Sequence, residues 1–240
     1  MNRALVKGLA LGAVTAFLSA AAHAQLTTFA QFTQSGGTRP FTFTNAGAGS
    51  TFTLTAPISV NFVFQVYNDY NGSSFATTIP AMMTLTSTVA GNVQTLGGFR
   101  NQPLTGITMT FTAVTPVNGK SNLLTVVANA GGDTSGGSII GAVNSSAAGF
   151  SGSQAGASGD AVAMTSDFVS FAATSQRDYS ISLNAVTQPI ATSSGYLRSF
   201  TADGAGTFAS DPAPFANVPE PASIALLALG GLALRRRRRH

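Results

Sequence analysis

The side chains that could do chemistry in this chain are few, and the first candidate is a short acidic turn. Residues 69–72 read Asp-Tyr-Asn-Gly. Oxygen-bearing side chains at alternate positions ahead of a glycine are typical of loops that surround a hard cation such as calcium. The glutamate that completes such a loop is missing downstream, and a tight turn accounts for the same residues. The sequence predicts no metal and no other cofactor, and it leaves calcium open at the loops of Asp69 and Asp133.

The residues on which most enzymes depend are missing between the two ends of the chain. Cysteine is absent, the two histidines are His23 and His240, and the only glutamate is Glu220. Histidine general bases, thiol nucleophiles and histidine-bound metals therefore have no side chains in residues 25–217. An enzyme built from aspartates alone would need two carboxylates facing each other at about 5 to 10 Å. We expect a protein without enzymatic activity.

The N-terminus has the pattern of a secretory signal peptide. Arg3 and Lys7 precede an apolar run, and Ala22 and Ala24 supply the small residues that a signal peptidase reads. Cleavage is predicted between Ala24 and Gln25. The precursor is therefore expected to be exported, and its signal helix has no part in the mature fold.

The basic character of the chain belongs to its ends. The whole sequence has 12 basic and 8 acidic residues, a net charge of +4. Without the two terminal segments, five basic residues face seven aspartates, which is a net charge of −2. No basic stripe remains on the body, and nucleic acid is therefore excluded as a partner.

The C-terminal tail has three parts in a fixed order. Pro219, Glu220 and Pro221 precede an uncharged apolar run over residues 222–234. Thirteen helical residues would measure about 20 Å against a hydrocarbon thickness of about 30 Å, so the run predicts a single, marginal membrane helix. Arginines resist crossing and stay on the cytoplasmic side. The basic stop consists of Arg235, Arg236, Arg237, Arg238 and Arg239.

These three parts together resemble the PEP-CTERM sorting signal, and the resemblance is confined to about residues 217–240. It implies a membrane-embedded exosortase that cuts near Pro219, Glu220 and Pro221 and passes the body to the cell surface or extracellular matrix. Proteins with this signal tend to occur in Gram-negative bacteria that make exopolysaccharide, and their bodies are unrelated to one another. An ordinary C-terminal tail anchor is the alternative reading of the same residues.

Between the two ends, alternating apolar and polar residues predict β-strands. Apolar side chains occupy every second position over residues 58–66 and again over residues 107–113. We count about nine to eleven strands and no amphipathic helix long enough to cross a parallel sheet, which favours antiparallel pairing. Threonines alternate with the apolar residues and should face outward. These are Thr84, Thr86, Thr88, Thr108, Thr110 and Thr112.

The predicted fold is all-β, an antiparallel two-sheet sandwich with a jelly roll as one form of it. The glycine-rich and serine-rich residues 130–159 are predicted to be a long flexible loop holding at most one short edge strand near residues 139–143. The predicted organisation is a signal peptide at 1–24, a β-sandwich ectodomain at 25–210, a proline-rich spacer at 211–217 and the sorting segment at 218–240.

The sequence thus predicts an exported, non-enzymatic surface or matrix protein associated with exopolysaccharide. The precursor would be anchored in the inner membrane before processing. A carbohydrate-binding or adhesive module is the alternative, with tyrosines or outward threonines on one sheet face as its binding surface. Threonine is also common in strands for its propensity alone, so the threonine pattern by itself does not decide between these readings.

Overall fold

A computed structural model of the chain describes residues 26–72, 77–129, 136–153, 162–172 and 176–216. Within these ranges the structure has seventeen β-strands and no helix, so no described helix is long and apolar enough to cross a membrane. The strands are β1 Thr27–Gln34, β2 Phe41–Thr44, β3 Thr51–Leu54, β4 Ile58–Phe64, β5 Thr78–Val89, β6 Gln94–Leu96, β7 Phe99–Val117, β8 Lys120–Ala128, β9 Gly137–Ala142, β10 Ala148–Ser153, β11 Val162–Thr165, β12 Val169–Ser170, β13 Gln176–Asn184, β14 Thr192–Ser193, β15 Tyr196–Leu197, β16 Phe200–Asp211 and β17 Phe215–Ala216.

The strands form where apolar and polar residues alternate, because one face of each strand is buried and the other faces solvent. In β4 the apolar residues at positions 58, 60, 62 and 64 are buried. In β7 the apolar residues at 107, 109, 111 and 113 are buried, and the threonines between them face outward. The predicted all-β class and antiparallel pairing are both confirmed.

Thirteen of the strands belong to one antiparallel sheet that follows the chain as a meander. At two places in the sheet, two strands lie end to end beside one longer strand. β1 and β2 both pair with the same edge of β16, and β8 and β9 both pair with the same edge of β7. Because strands that follow one another in the chain are mostly neighbours in the sheet, most connections are short hairpins.

The meander closes on itself because the first strand pairs with the last long one. Thr27 to Thr33 of β1 pair with Ser210 to Ala205 of β16. The pairings β1–β4–β5–β7–β9–β10–β13–β16–β1 make a ring of eight strands. Two separate sheets were expected, and one continuous sheet with opposed walls is observed instead. The alternation along single strands could not show that the two ends of the meander meet.

Phenylalanine rings fill the space between the opposed walls. Phe52 of β3 contacts Phe150 of β10 with ring centroids 5.1 Å apart. Phe32 of β1 contacts Phe111 of β7 at 5.0 Å. All four rings are almost completely buried. The interior is therefore a packed core that ties non-adjacent strands together.

The glycine-rich segment was predicted wrongly as a loop with an edge strand. β9 and β10 both lie inside the sheet, β9 between β7 and β10, and β10 between β9 and β13. The strands lack the expected alternation because Gly137 and Gly152 leave room for the ring of Tyr179. The Tyr179 ring of β13 thus fills the space that larger side chains of β9 and β10 would otherwise occupy.

The body ends with a short strand pair. After β16, Phe215 and Ala216 of β17 pair with Ser170 and Val169 of β12. The predicted spacer at residues 211–217 is thus in contact with the sheet up to Ala216. The signal helix and the C-terminal membrane helix lie outside the described residues, and the predicted domain boundaries remain predictions.

Candidate functional site

The sorting residues predicted from the sequence lie beyond the part of the chain that the structure describes. This holds for Pro219, Glu220 and Pro221, for the basic stop at 235–239, and for Ala22, Ala24 and Gln25 at the signal cleavage point. The structure instead shows where the body presents its two ends and which surfaces it offers.

The acidic turn at residues 69–72 is built by hydrogen bonds within the chain. The Asn68 side-chain oxygen accepts from the backbone N–H of Tyr70 and of Asn71, at 3.1 and 3.4 Å. Gly72 has φ 62° and donates its N–H to the Asn68 carbonyl, which a glycine does without strain. The residues form a turn whose asparagine oxygen is already used. No group of three acidic, histidine or cysteine side chains gathers to hold a metal within the described ranges.

Two of the described aspartates, at opposite ends of the sheet, accept hydrogen bonds from the backbone. Asp167 accepts from the backbone N–H of Ser121 at 3.0 Å and of Asn122 at 2.8 Å. At the opposite end of the sheet, Asp203 accepts from the Gln34 side chain at 3.1 Å and from the backbone N–H of Arg39 at 2.6 Å. These carboxylates organise the backbone around them. Asp133 and Asp160 are not among the described residues.

The tyrosines form no common platform. Tyr179 is buried in the core, and burial raises the pKa of its hydroxyl strongly. Tyr67 and Tyr70 lie at the end of the sheet where β1 begins, whereas Tyr196 lies at the opposite end beside β14. A sugar ring cannot stack on more than two of them at once.

The outward threonines do form rows across neighbouring strands. Thr84 pairs with Thr110, and Thr110 in turn pairs with Thr125 of β8. Thr125 pairs with Thr165 of β11, which extends the row to four strands. We call this surface the threonine face. Its hydroxyls and methyls are regularly spaced along the paired strands.

A groove runs along the outside of the opposite wall, across β9, β10, β13, β16 and β1. It consists of three adjoining concavities of about 410, 270 and 470 Å³. The first and second share Ser180, and the second and third share Thr33 and Ala205. The polar side chains on its outer face are Gln31, Thr33, Gln34, Ser35, Thr38, Ser138, Ser151, Ser153, Asp178, Ser180, Ser182, Asn184, Asp203 and Thr207.

Asp178 is the least satisfied of these groups. Its Oδ1 is buried and has no hydrogen-bond partner among the described residues. Burial raises the pKa of the Asp178 carboxyl above its ordinary value, because desolvation disfavours the charged form. A ligand hydroxyl in the groove would supply the missing donor.

We expect Asp178→Asn to stabilise the protein at pH 7 and to lose this advantage near pH 3. A carboxyl whose pKa is raised by folding binds its proton more readily in the folded state, so its cost is present at neutral pH and disappears in acid. Chemical denaturation of both proteins at the two pH values measures the difference. Equal free energies of unfolding at pH 7 would contradict the destabilisation that we assign to the buried Asp178 carboxylate.

Sequence reasoning missed this groove because its lining residues come from five strands far apart in the chain. A usable signal was present in β13, where Ser180 and Ser182 alternate with buried Ile181 and Leu183. Small outward side chains on neighbouring strands leave a depression. The strand order, which the sequence does not show, decides that they are neighbours.

Comparison with known proteins bears on the C-terminal end alone. Residues 217–239 match the family model of the PEP-CTERM protein-sorting motif. Such a motif implies an exported protein that an exosortase processes at the membrane. In this chain the motif follows directly after the closed antiparallel β body. Neither the curated proteins nor the solved structures compared with the chain gave a significant match.

Proposed function

We propose that this is a non-enzymatic protein of the cell surface or extracellular matrix, released from its membrane anchor at the PEP-CTERM motif and associated with exopolysaccharide. The observation that carries the proposal is the motif match at residues 217–239. The signal-peptide pattern at residues 1–24 supports entry into the export pathway. In this sequence of events the signal peptidase acts first, the C-terminal apolar run holds the body at the inner membrane, and an exosortase then removes it.

The composition of the body supports a role without catalysis. It has neither histidine nor cysteine nor glutamate, and the carboxylates of Asp167 and Asp203 accept hydrogen bonds from groups of the chain itself. Such a body offers bulk, a stable core and two hydroxyl-rich surfaces. These properties suit a component of a hydrated matrix.

We expect Glu220→Ala to block C-terminal processing. The wild-type protein should lack both the signal peptide and the apolar tail, and should be found outside the membrane. The variant should keep its tail and remain in the membrane fraction, because the acid of the motif is lost. Intact-mass analysis of envelope and medium measures both.

Asp211→Ala is the matched control, since it removes an acid just outside the matched segment. It should be processed like the wild type. If Glu220→Ala changes neither mass nor location, the proposed sorting is wrong.

The carbohydrate-binding alternative now has a specific surface in its favour, the groove along β13 and β16. Serine and threonine hydroxyls and the free oxygen of Asp178 are suitable partners for sugar hydroxyls. We expect Ser180→Leu to weaken binding of the body to the producing bacterium's own exopolysaccharide at least tenfold, because Ser180 lines two of the three concavities.

The matched control is Thr86→Leu, which likewise replaces a hydroxyl side chain with leucine, at an exposed position of the threonine face. Co-sedimentation with the purified polysaccharide compares the two variants. Loss of binding only in Thr86→Leu would move the site to the threonine face. Absence of binding by the wild-type body would remove the carbohydrate-binding reading and leave a purely structural role.

A further inference from the structure

Both ends of the body emerge at the same pole of the sheet. Thr27, two residues after the predicted signal cleavage point, pairs with Ser210 near the end of β16. Ala216, the last described residue, pairs with Val169. We call this end the stem pole. The described chain therefore begins and ends at the stem pole.

Contacts among its loops define the stem pole as one surface. The Asp69 N–H donates to the Phe168 carbonyl at 3.1 Å, and the Tyr70 hydroxyl donates to the Thr115 carbonyl at 2.9 Å. The rings of Tyr70 and Phe168 are 5.1 Å apart at their centroids. The segments that meet here are 65–72, 115–122, 166–172 and 211–216.

The length of chain beyond Ala216 limits how far this pole can stand from a membrane. Six peptide units separate Ala216 from Ala222, where the apolar run begins. Fully extended, they span at most about 20 Å. β5 runs between the poles and has 12 residues, so the opposite pole is at most about 40 Å farther away. Pairing of β17 with β12 is what shortens the connection.

Two aromatic rings, and not the charge, suit the stem pole to a lipid surface, because three aspartates lie in its segments. Phe215 is 60% exposed and Tyr67 is 49% exposed. Aromatic residues are enriched where proteins meet lipid headgroups, and a lysine such as the exposed Lys120 can extend its ammonium toward phosphates. Leu96 and Phe99 are similarly exposed at the opposite pole, so the short connection to the apolar run is what selects the stem pole.

We propose that the stem pole rests on the lipid headgroups of the membrane while the precursor is still anchored, with Tyr67 and Phe215 as its contact residues. The proposal rests on the proposed function, because it requires the apolar run to be in the membrane. It goes further in giving the anchored body one orientation, with the groove and the threonine face standing away from the bilayer along the walls.

The absence of cysteine makes the orientation directly measurable. Single-cysteine variants of the full-length precursor, Lys120→Cys at the stem pole and Leu96→Cys at the opposite pole, are reconstituted into phosphatidylethanolamine–phosphatidylglycerol vesicles. A membrane-impermeant maleimide fluorophore labels the outward-facing molecules. Quenching by headgroup spin-labelled lipid should be at least threefold stronger at position 120 than at position 96.

A second pair of variants separates lipid contact from mere tethering. Adding Tyr67→Ser and Phe215→Ser to Lys120→Cys should reduce quenching at least twofold, whereas adding Phe99→Ser, at the opposite pole, should not change it. Both substituted rings are exposed, so melting temperatures should remain close to that of the parent.

The experiment distinguishes failure of the membrane anchoring from failure of the proposed orientation. Vesicle flotation shows first whether the precursor is membrane-bound. A precursor that does not float with the vesicles would overturn both the anchoring and the orientation. A bound precursor with equal quenching at positions 96 and 120, or with quenching unaffected by loss of the two rings, would overturn the orientation and leave the proposed function standing.

Discussion

Phe111→Ala is expected to lower the free energy of unfolding by about 3 to 5 kcal/mol, the range for removing a fully buried phenylalanine. Phe111 is completely buried at the middle of β7. Its ring contacts the rings of Phe32, Phe62 and Phe208, at centroid distances of 5.0, 5.3 and 5.3 Å. The substitution leaves a cavity that β1, β4 and β16 cannot close, because each of these strands is held in the sheet by its neighbours.

Urea denaturation followed by circular dichroism measures this loss. Val114→Ala is the matched control, since Val114 belongs to the same strand but is 59% exposed, and its truncation should change stability by less than about 0.5 kcal/mol. Similar effects of the two substitutions would show that the phenylalanine cluster is not the centre of the core. The comparison thus tests which face of β7 is inside.

Gly137→Ala is expected to destabilise the protein by about 3 kcal/mol or more, at the upper end for overpacking. A methyl group at this position would collide with the Tyr179 hydroxyl. It would also lie 2.8 Å from the Ser151 carbonyl oxygen and 3.0 Å from Cδ1 of Ile107. The Ser151 carbonyl belongs to the paired strand β10, so it cannot move away without breaking the sheet.

Gly149→Ala is the control, because a methyl there meets only ordinary contacts, the nearest being Ile140 Cγ2 at 3.8 Å. It should leave the melting temperature unchanged or raise it slightly. Adding Tyr179→Phe to Gly137→Ala should recover part of the lost stability by removing the colliding hydroxyl. It should not recover all, since the hydrogen bond from Tyr179 to the Gly136 carbonyl, at 3.2 Å, is lost as well. A fully stable Gly137→Ala protein would show that the close approach is not required.

Much of the fold could be predicted, and β4 and β7 show why. In both, one face meets the core and the other meets water, so burial imposes a period of two that remains visible in the chain. The same reasoning places Thr84, Thr86 and Thr88 outward, which the structure confirms. These are local consequences of burial, and local sequence is enough to reveal them.

The strands β9 and β10 show where this reasoning stops. Gly137 and Gly152 lie where the Tyr179 ring of β13 occupies the interior, so the information about the burial of these positions lies on another strand. The groove has the same origin, since Ser180 and Thr33 become neighbours only through the pairing of β13, β16 and β1. Such arrangements depend on contacts between distant positions.

By itself, the sequence determined which side chains the protein has and which sorting motif it carries. Its alternating residues predicted an antiparallel β body, and its body lacks histidine, cysteine and glutamate. The PEP-CTERM motif lies at residues 217–239. These features depend only on residue types and short-range spacing, which can be read from the sequence. Only the tertiary structure decided that β1 closes on β16, that a hydroxyl-lined groove opens beside Asp178, and that both ends leave from one pole. These features arise from strand order and register, which are set by the summed packing of side chains far apart in sequence.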